Sequence, residues 1–260
     1  MTTATGIEST AIRAVTPFIC VPEGDKFIEF AQRAFGAEVT ARHPHHGHDG
    51  FVAGVKIGDS DLLVMGGESL RGQEFPATLH VFVRDCDAAY RRALDAGAAT
   101  LGSVGEPANR PYGERAAFVS DPFGNIWFIA TRLEGDYVGP GLRNVTPCLL
   151  SPDARPLMGF LERAFDAKVE GVHEEGGHLM HAFVRVGEIM LEMAESAPGG
   201  ARPHSFYLHV EDVDAVYSNA VAAGASSVAP PADQPFGDRL AIVEDPAKNR
   251  WLVAKRISAA

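Results

Sequence analysis

Three ionisable side chains in the second half of the chain have the type and setting needed for proton transfer. His181 begins one apolar segment, Glu192 interrupts another, and His209 lies inside the apolar run Phe206–Val210. Histidine exchanges protons near neutral pH, and a nearby carboxylate can orient it. Each histidine could equally be a half-buried residue that hydrogen-bonds to a neighbour. These three are the catalytic candidates, because the matching positions of the first half are uncharged: Val52, Met65 and Phe82.

Two arginines occupy equivalent places in the two halves and are candidates for ligand binding. Arg115 follows Tyr112–Glu114, and Arg239 follows the similar segment Phe236–Asp238. A guanidinium group matches the geometry of a carboxylate or phosphate on a ligand. The alternative is an ion pair within the protein, with one of three nearby acids: Glu114, Asp121 or Asp245.

A histidine-rich segment, His43–His48, lies between two predicted strands. Its four histidines could bind a metal ion or respond to pH. Alternatively, Pro44 and Gly47 mark an exposed hairpin tip at which polar residues have no function.

Composition narrows the classes of partner. The 260 residues carry a net charge of −11, and no basic cluster is present, which argues against nucleic acid. Three widely spaced cysteines form neither a disulfide framework nor a zinc motif. We find no signal peptide, no apolar run long enough for a membrane span, no nucleophilic triad and no nucleotide-binding motif. We therefore expect a cytoplasmic protein with no membrane and no nucleic-acid partner.

An internal repeat predicts the architecture. The matching segments keep their order while the offset between them falls from 130 to 124 residues, as expected for two copies of one domain with loops of different length. The clearest pairs are Thr16–Cys20 with Thr146–Leu150, Arg33–Ala37 with Arg163–Ala167, Val83–Asp87 with Val210–Asp214, and Asp121–Trp127 with Asp245–Trp251.

Each copy is itself a doublet of one βαβββ unit. The first unit combines a strand at Ile12–Val21, an amphipathic helix at Glu23–Phe35 and three short strands. A second unit begins at Thr78, so the chain holds four units in all. We expect domains at 11–132 and 144–257, with a glycine-rich linker at 133–143. In the final turn of the second copy, we expect Asn249 to adopt the left-handed conformation, because the glycine of the first copy is lost there.

These features resemble one family. Paired βαβββ units, a helix that ends in Ala34-Phe35-Gly36-Ala37, and the motif Asp121–Trp127 are similar to those of the glyoxalase, bleomycin-resistance and extradiol dioxygenase superfamily, in particular its PhnB-like branch. The resemblance covers roughly Ala11–Arg256. It implies an α+β fold in which mixed sheets form cups around a pocket for a small molecule.

The resemblance also implies where a metal would be bound in metal-dependent members, usually by two histidines and two glutamates. Alignment places Thr16, Thr78 and Phe128 at three of these positions in the first half, with Val64 or Met65 at the fourth. In the second half the same alignment gives Thr146, Ser205, Leu252 and either Leu191 or Glu192. One carboxylate does not make a metal site, so we expect no metal and no other cofactor.

The resulting expectation is a metal-independent protein that binds a small organic ligand, such as an antibiotic or secondary metabolite, as a monomer or homodimer. One alternative is an isomerase, cyclase or lyase that uses acid–base chemistry in the second half. Another is a metal-dependent enzyme of the glyoxalase or dioxygenase kind. Besides the two arginines, the expected ligand-binding residues are Trp127, Phe128, Thr146, Ser205, Tyr207, Phe236 and Trp251.

Overall fold

The computed structural model describes residues 12–45, 49–197, 200 and 202–257. His46, Gly47 and His48 of the histidine-rich segment lie outside the described residues, whereas His43 and Pro44 end a strand that is exposed along its whole length. None of the helices in the described ranges is long and apolar enough to cross a membrane.

The four predicted βαβββ units are present, in order, along the chain. The first contains β1 (Ile12–Val21), α1 (Gly24–Phe35), β2 (Glu38–Pro44), β3 (Phe51–Ile57) and β4 (Ser60–Gly66). The second contains β5 (Thr78–Phe82), α2 (Cys86–Asp95), β6 (Ala99–Thr100), β7 (Ala108–Asn109), β8 (Glu114–Ser120) and β9 (Ile126–Arg132). The third contains β10 (Val145–Ser151), α3 (Ala154–Phe165), β11 (Lys168–Glu175), β12 (His178–Val186) and β13 (Ile189–Glu195). The fourth contains β14 (Ser205–Val210), α4 (Val213–Ala222), β15 (Ser226–Asp233), β16 (Asp238–Glu244) and β17 (Arg250–Arg256).

The helices form where the apolar spacing predicts them. Helix α1 buries Phe27, Phe30 and Ala34 on one face, and it ends at Gly36, whose φ of 71° is the left-handed conformation that glycine adopts most easily. Helices α2 and α4 begin alike, because the side chains of Asp85 and Asp212 each accept a hydrogen bond from a backbone N–H in the first turn.

The two large sheets each combine one unit from each half of the chain. Sheet 1, in the order β15-β16-β17-β14-β1-β4-β3-β2, joins the first and fourth units. Sheet 2, in the order β11-β12-β13-β10-β5-β9-β8-β6, joins the second and third units, and β7 pairs with β8 beside it. The junctions are antiparallel pairings of β1 with β14 and of β5 with β10. Side chains from both halves therefore meet on every sheet.

The hydrophobic cores follow a different division, because each lies largely within one half. Helices α1 and α2 pack together over one core, and α3 and α4 pack over the other. Each sheet consequently has one face covered by helices. We call the other side its open face. Since side chains alternate along a strand, the residues between the core positions lie on the open face.

A buried histidine joins the two sheets near the second junction. His204 precedes β14 of sheet 1, but its Nε2 accepts a hydrogen bond of 3.2 Å from the backbone N–H of Thr78 in sheet 2. Its ring also bonds with the backbone of Cys148, and burial lowers the pKa of His204 to about 3. The neutral imidazole thus bridges the strands β5 and β10 where their ladder ends at Leu79 and Pro147.

The left-handed residue of the final turn is Lys248 rather than Asn249. Lys248 has a φ of 70°, and its counterpart in the first half is Gly124, with a φ of 90°. Asn249 is instead held in the turn by its side chain, whose Nδ2 donates to Asp245 and whose Oδ1 accepts from the His204 backbone. The lysine takes the position because the asparagine is needed for these buried bonds.

We expect Lys248→Gly to raise the free energy of unfolding by about 1 kcal/mol, because glycine has no Cβ that opposes a positive φ. The lost contact between Lys248 and Glu244 is exposed and contributes little. Urea unfolding of Lys248→Gly and of Gly124→Ala measures the change in the free energy of unfolding for each. The second substitution should lower stability, and equal effects of the two would contradict the argument.

Candidate functional site

The open face of sheet 2 carries a continuous row of four ionisable side chains. They come from four strands in the order Glu114, His80, Glu192 and His181. His80 Nδ1 lies 3.0 Å from Glu192 Oε2, and its Nε2 lies 3.4 Å from Glu114 Oε2. His181 Nε2 lies 3.5 Å from the same Glu192 oxygen. The side chain of His181 is 36% exposed, whereas those of Glu192, His80 and Glu114 are 4%, 11% and 15% exposed, so His181 is the exposed end of the row.

Glu192 and His80 form a buried ion pair. Burial by itself lowers the pKa of His80, but the charges of Glu192 and Glu114 outweigh it and raise that pKa to about 10. Burial likewise raises the pKa of Glu192, yet His80 and His181 reduce it to about 2. At neutral pH the imidazole is therefore protonated and the carboxylate ionised.

Aromatic rings surround this row. The ring of His80 stacks on Phe82 with centroids 4.2 Å apart, and Phe128 meets Phe118 edge to face at 5.1 Å. At the other end of the row, His181 contacts Phe183 at 4.5 Å. An apolar wall with a few polar groups is typical of pockets that bind small molecules.

Polar atoms without a hydrogen-bond partner are concentrated on this face. Six buried side-chain N or O atoms in the described residues lack one, and four of them lie here. They are Thr78 Oγ1, His80 Nε2, Arg110 Nε and Glu114 Oε2. The contact between His80 and Glu114 brings opposite charges together but lacks the geometry of a hydrogen bond. Buried polar atoms are normally paired, so this concentration indicates a place for a ligand.

The segment between β9 and β10 covers part of the same face. Tyr137, Val138 and Leu142 pack against the cluster of Phe82, Ala116 and Ala130. The hydroxyl of Tyr137 accepts a hydrogen bond from Asn144 Nδ2, and the guanidinium of Arg84 lies over its ring at 4.6 Å. The connection between the two halves therefore forms one side of the site.

The structure brings together only two of the three catalytic candidates. His181 and Glu192 are in contact, whereas His209 lies on the open face of sheet 1. The acid–base alternative groups these three residues in the second half, but the sheets are assembled across the halves and separate His209 from the other two. The partner of Glu192 is His80, from the first half.

The expected ligand-binding residues are divided among several places. Phe128 and Thr146 face the open side of sheet 2, next to His80. Ser205 and Tyr207 face the open side of sheet 1, where the Tyr207 hydroxyl donates to Asp238 Oδ2 at 2.6 Å. Phe236 precedes β16, and its carbonyl accepts a hydrogen bond from Arg256.

The two tryptophans and the two arginines turn away from both open faces. Trp127 and Trp251 are fully buried in the cores, and each indole N–H donates to the aspartate of its own turn, 2.9 Å away. Arg115 is bound by Asp87 of α2, and Arg239 by Asp214 and Asp233. These arginines form ion pairs within the protein, with acids other than the three expected, because their strand positions face the helices.

Sequence reasoning missed His80 and Glu114. His80 stands between the core positions Leu79 and Val81, so strand alternation would have placed it on an open face. The contact between His80 and Glu192 could not be predicted from strand alternation, because the two residues belong to different halves of the chain.

The four side chains do not fit a metal ion as they are arranged. The two ring nitrogens of His80 point to different carboxylates, so the ring offers no lone pair toward a point shared with Glu192. Within the described part of the chain, no group of three or more histidine, cysteine, aspartate or glutamate side chains is placed to hold a metal.

Comparison with known proteins identifies the family. The model of the glyoxalase/bleomycin resistance protein/dioxygenase superfamily matches residues 11–129 and again residues 145–253. The chain belongs to this superfamily. An uncharacterized protein of Mycobacterium bovis is 31% identical over 126 residues, which are 44% of this chain and 83% of that protein. An uncharacterized protein of Mycobacterium tuberculosis is also 31% identical over 126 residues, 44% of this chain and 74% of that protein.

Solved structures of the superfamily have the same fold. Glyoxalase I from Zea mays superimposes with a TM-score of 0.70 at 13% identity, covering 93% of this chain and 92% of the other. A putative dioxygenase from Bacillus subtilis gives a TM-score of 0.63 at 13% identity, covering 96% of this chain and 86% of the other. At such identities the similarity concerns the fold alone, and it confirms the predicted α+β architecture of two tandem superfamily domains.

Proposed function

We propose that this superfamily protein binds a small organic molecule on the open face of sheet 2 without the help of a metal ion. The observation that carries the proposal is the concentration of four unpartnered buried polar atoms on that face. A ligand that hydrogen-bonds to Thr78, His80, Arg110 and Glu114 removes the cost of burying them unpaired, which is about 1–3 kcal/mol for each group. The aromatic rings beside them would hold its apolar part.

A thermal-shift screen of small aromatic compounds with polar substituents tests this site. We expect compounds that raise the melting temperature of the native protein, and Glu114→Gln should reduce the affinity of these compounds at least tenfold. Glu29→Gln removes the same charge from the exposed face of α1 and serves as the control. Binding that Glu114→Gln leaves unchanged would place the ligand elsewhere.

Metal independence is tested separately. Protein dialysed against a chelator should bind the same compounds with unchanged affinity, and addition of Zn²⁺ or Mn²⁺ should leave the melting temperature unaltered. A stoichiometric, tightly held divalent ion that is required for binding would contradict this part of the proposal, because the ion would have to separate His80 from Glu192.

A second candidate function is acid–base catalysis, and the row of four ionisable groups favours it. His181 is at the exposed end and can take a proton from a ligand, while Glu192 stabilises the imidazolium that forms. His80 is held protonated and can donate a hydrogen bond to developing negative charge. Recovery of a chemically changed ligand, with turnover lost in His181→Ala and binding retained, would support catalysis. Recovery of an unchanged ligand supports binding alone.

Several finer expectations belong to the same proposal. We place the chain in the PhnB-like branch, with domains at 11–132 and 144–257, as a cytoplasmic monomer or homodimer that binds an antibiotic or secondary metabolite. Light scattering of the purified protein distinguishes monomer from dimer.

A further inference from the structure

Sheet 1 carries a second open face whose chemistry differs from that of sheet 2. The repeat relates His80 to Tyr207 and Glu114 to Asp238. Tyr207 and Asp238 are joined by a hydrogen bond, whereas His80 and Glu114 are in charge contact only. The strand pairings correct the alignment made from the sequence: the counterpart of Glu192 is Leu63 rather than Met65, and that of His181 is Val52 as expected. Sheet 1 therefore retains one polar pair and replaces the rest of the ionisable row with apolar side chains.

The apolar side chains on the open face of sheet 1 are incompletely buried. Leu63, Leu240, Ile242 and Leu252 are all partly exposed on the open face, although their strand neighbours on the other face are buried in the core. On sheet 2 the segment before β10 covers part of the equivalent surface. No apolar cluster of the described residues covers sheet 1 in that way.

One end of this face holds an arginine without a carboxylate partner. Arg250 begins β17 on the open face, its guanidinium lies 4.5 Å from the ring centroid of Phe75, and its buried Nε has no hydrogen-bond partner. Among the described residues it forms no ion pair, and the acid across the ladder, Glu244, is bound by Lys248 at 2.9 Å. Phe75 and Glu244 also line a surface cavity of about 740 Å³, so open space adjoins this end.

The opposite end of the same strands carries a carboxylate that is already paired. Asp238 accepts hydrogen bonds from Tyr207 and from Arg256, and it lies six residues before Glu244 on β16. At a rise of about 3.4 Å per residue, the two ends are about 20 Å apart. The partly exposed leucine and isoleucine side chains lie between the guanidinium of Arg250 at one end and the hydrogen-bonded carboxylate of Asp238 at the other.

We propose that the open face of sheet 1 binds an amphipathic organic acid, whose carboxylate pairs with Arg250 and whose apolar body lies across Ile242 and Leu252. A guanidinium fork pairs with a carboxylate through two parallel hydrogen bonds. At the far end the cation, Arg256, is already paired with Asp238, so the acid group binds at Arg250 and the ligand takes one orientation. This site is separate from the one proposed on sheet 2 and does not depend on it.

Three probes of one shape test the proposal by titration calorimetry: 2-naphthoate, 2-naphthylmethanol and 2-naphthylmethylamine. The acid should bind native protein at least tenfold more tightly than the alcohol, and the amine should bind least. Arg250→Gln should remove the tenfold preference, and Arg250→Lys should restore part of it, because lysine keeps the charge without the fork. Arg163→Gln, an equal loss of charge on the exposed side of α3, should bind the acid as the native protein does.

The outcomes separate the two sites. Loss of naphthoate binding in Leu252→Trp but not in Glu114→Gln supports the site on sheet 1. Equal affinity for acid and alcohol, an unchanged preference in Arg250→Gln, or no binding of any probe would overturn the proposal. Loss of naphthoate binding in Glu114→Gln instead would assign the acid to sheet 2. That result would overturn the site proposed on sheet 1 and leave the site proposed on sheet 2 intact.

Discussion

Replacing Asp245 by alanine should lower the free energy of unfolding by about 4 kcal/mol. Its buried carboxylate accepts hydrogen bonds from the backbone N–H groups of Ala247 and Asn249, from Asn249 Nδ2 and from Trp251 Nε1, at 2.8–2.9 Å. Alanine leaves all four donors buried without an acceptor, and each unpaired group costs about 1–3 kcal/mol. Chemical denaturation followed by tryptophan fluorescence measures the change.

The first half provides a matched test of the same prediction. Asp121 accepts the equivalent four bonds from Phe123, Asn125 and Trp127. Asp121→Ala should therefore cost about as much as Asp245→Ala. Asp61→Ala, an exposed aspartate on β4, should change stability by less than about 0.5 kcal/mol. Losses under about 1 kcal/mol for both buried aspartates would show that water replaces the carboxylate at little cost.

Replacing Glu192 by glutamine should lower the free energy of unfolding by about 3 kcal/mol near pH 6, because it leaves the buried imidazolium of His80 without its closest counter-charge. The pKa of His80 is raised from 6.5 to about 10, so its contribution is complete below pH 6.5 and is lost as pH rises toward 10. The pKa of Glu192 is lowered from 4.5 to about 2, so its contribution is present above pH 4.5 and is lost as pH falls toward 2. The effect is greatest between pH 4.5 and 6.5.

Urea unfolding of the native protein and of Glu192→Gln across pH 3–10 tests this dependence. The difference between them should form a maximum in that window and should decline on both sides. Glu175→Gln, the same change at an exposed position of β11, serves as the control. A constant difference between the two proteins at every pH would mean that the ion pair does not form.

The two halves retain the same core chemistry while their open faces differ. The Asp-Asn-Trp network is present twice with nearly equal distances. On the open faces, however, the sequence pairs histidine with glutamate in one sheet and tyrosine with aspartate in the other. The residues that the two halves share are those that close a turn over a core, whereas the residues on the open faces have diverged.

The sequence by itself determined the units, their order and the duplication. Periodic burial at Phe27, Phe30 and Ala34 marks a helix, and strand alternation marks the faces, because both depend on residues close together in the chain. The repeat then predicted two equivalent domains. The same local reasoning made Glu192 and His181 candidates for the site, since an ionisable residue stands out in an apolar strand.

Only the tertiary structure decided which of these residues meet. Glu192 pairs with His80, 112 residues away, and not with His209, because β5 joins β10 while β14 joins β1. Each half contributes strands to both sheets, and the local sequence pattern does not predict which edge strands pair. The turn preference failed for a related reason: Asn249 is the better left-handed residue, but buried hydrogen bonds to Asp245 and His204 hold it, so Lys248 takes the positive φ. In the first case long-range strand pairing outweighs local preference, and in the second case the hydrogen bonding of buried polar groups does. Neither can be predicted from the spacing of residues along the chain.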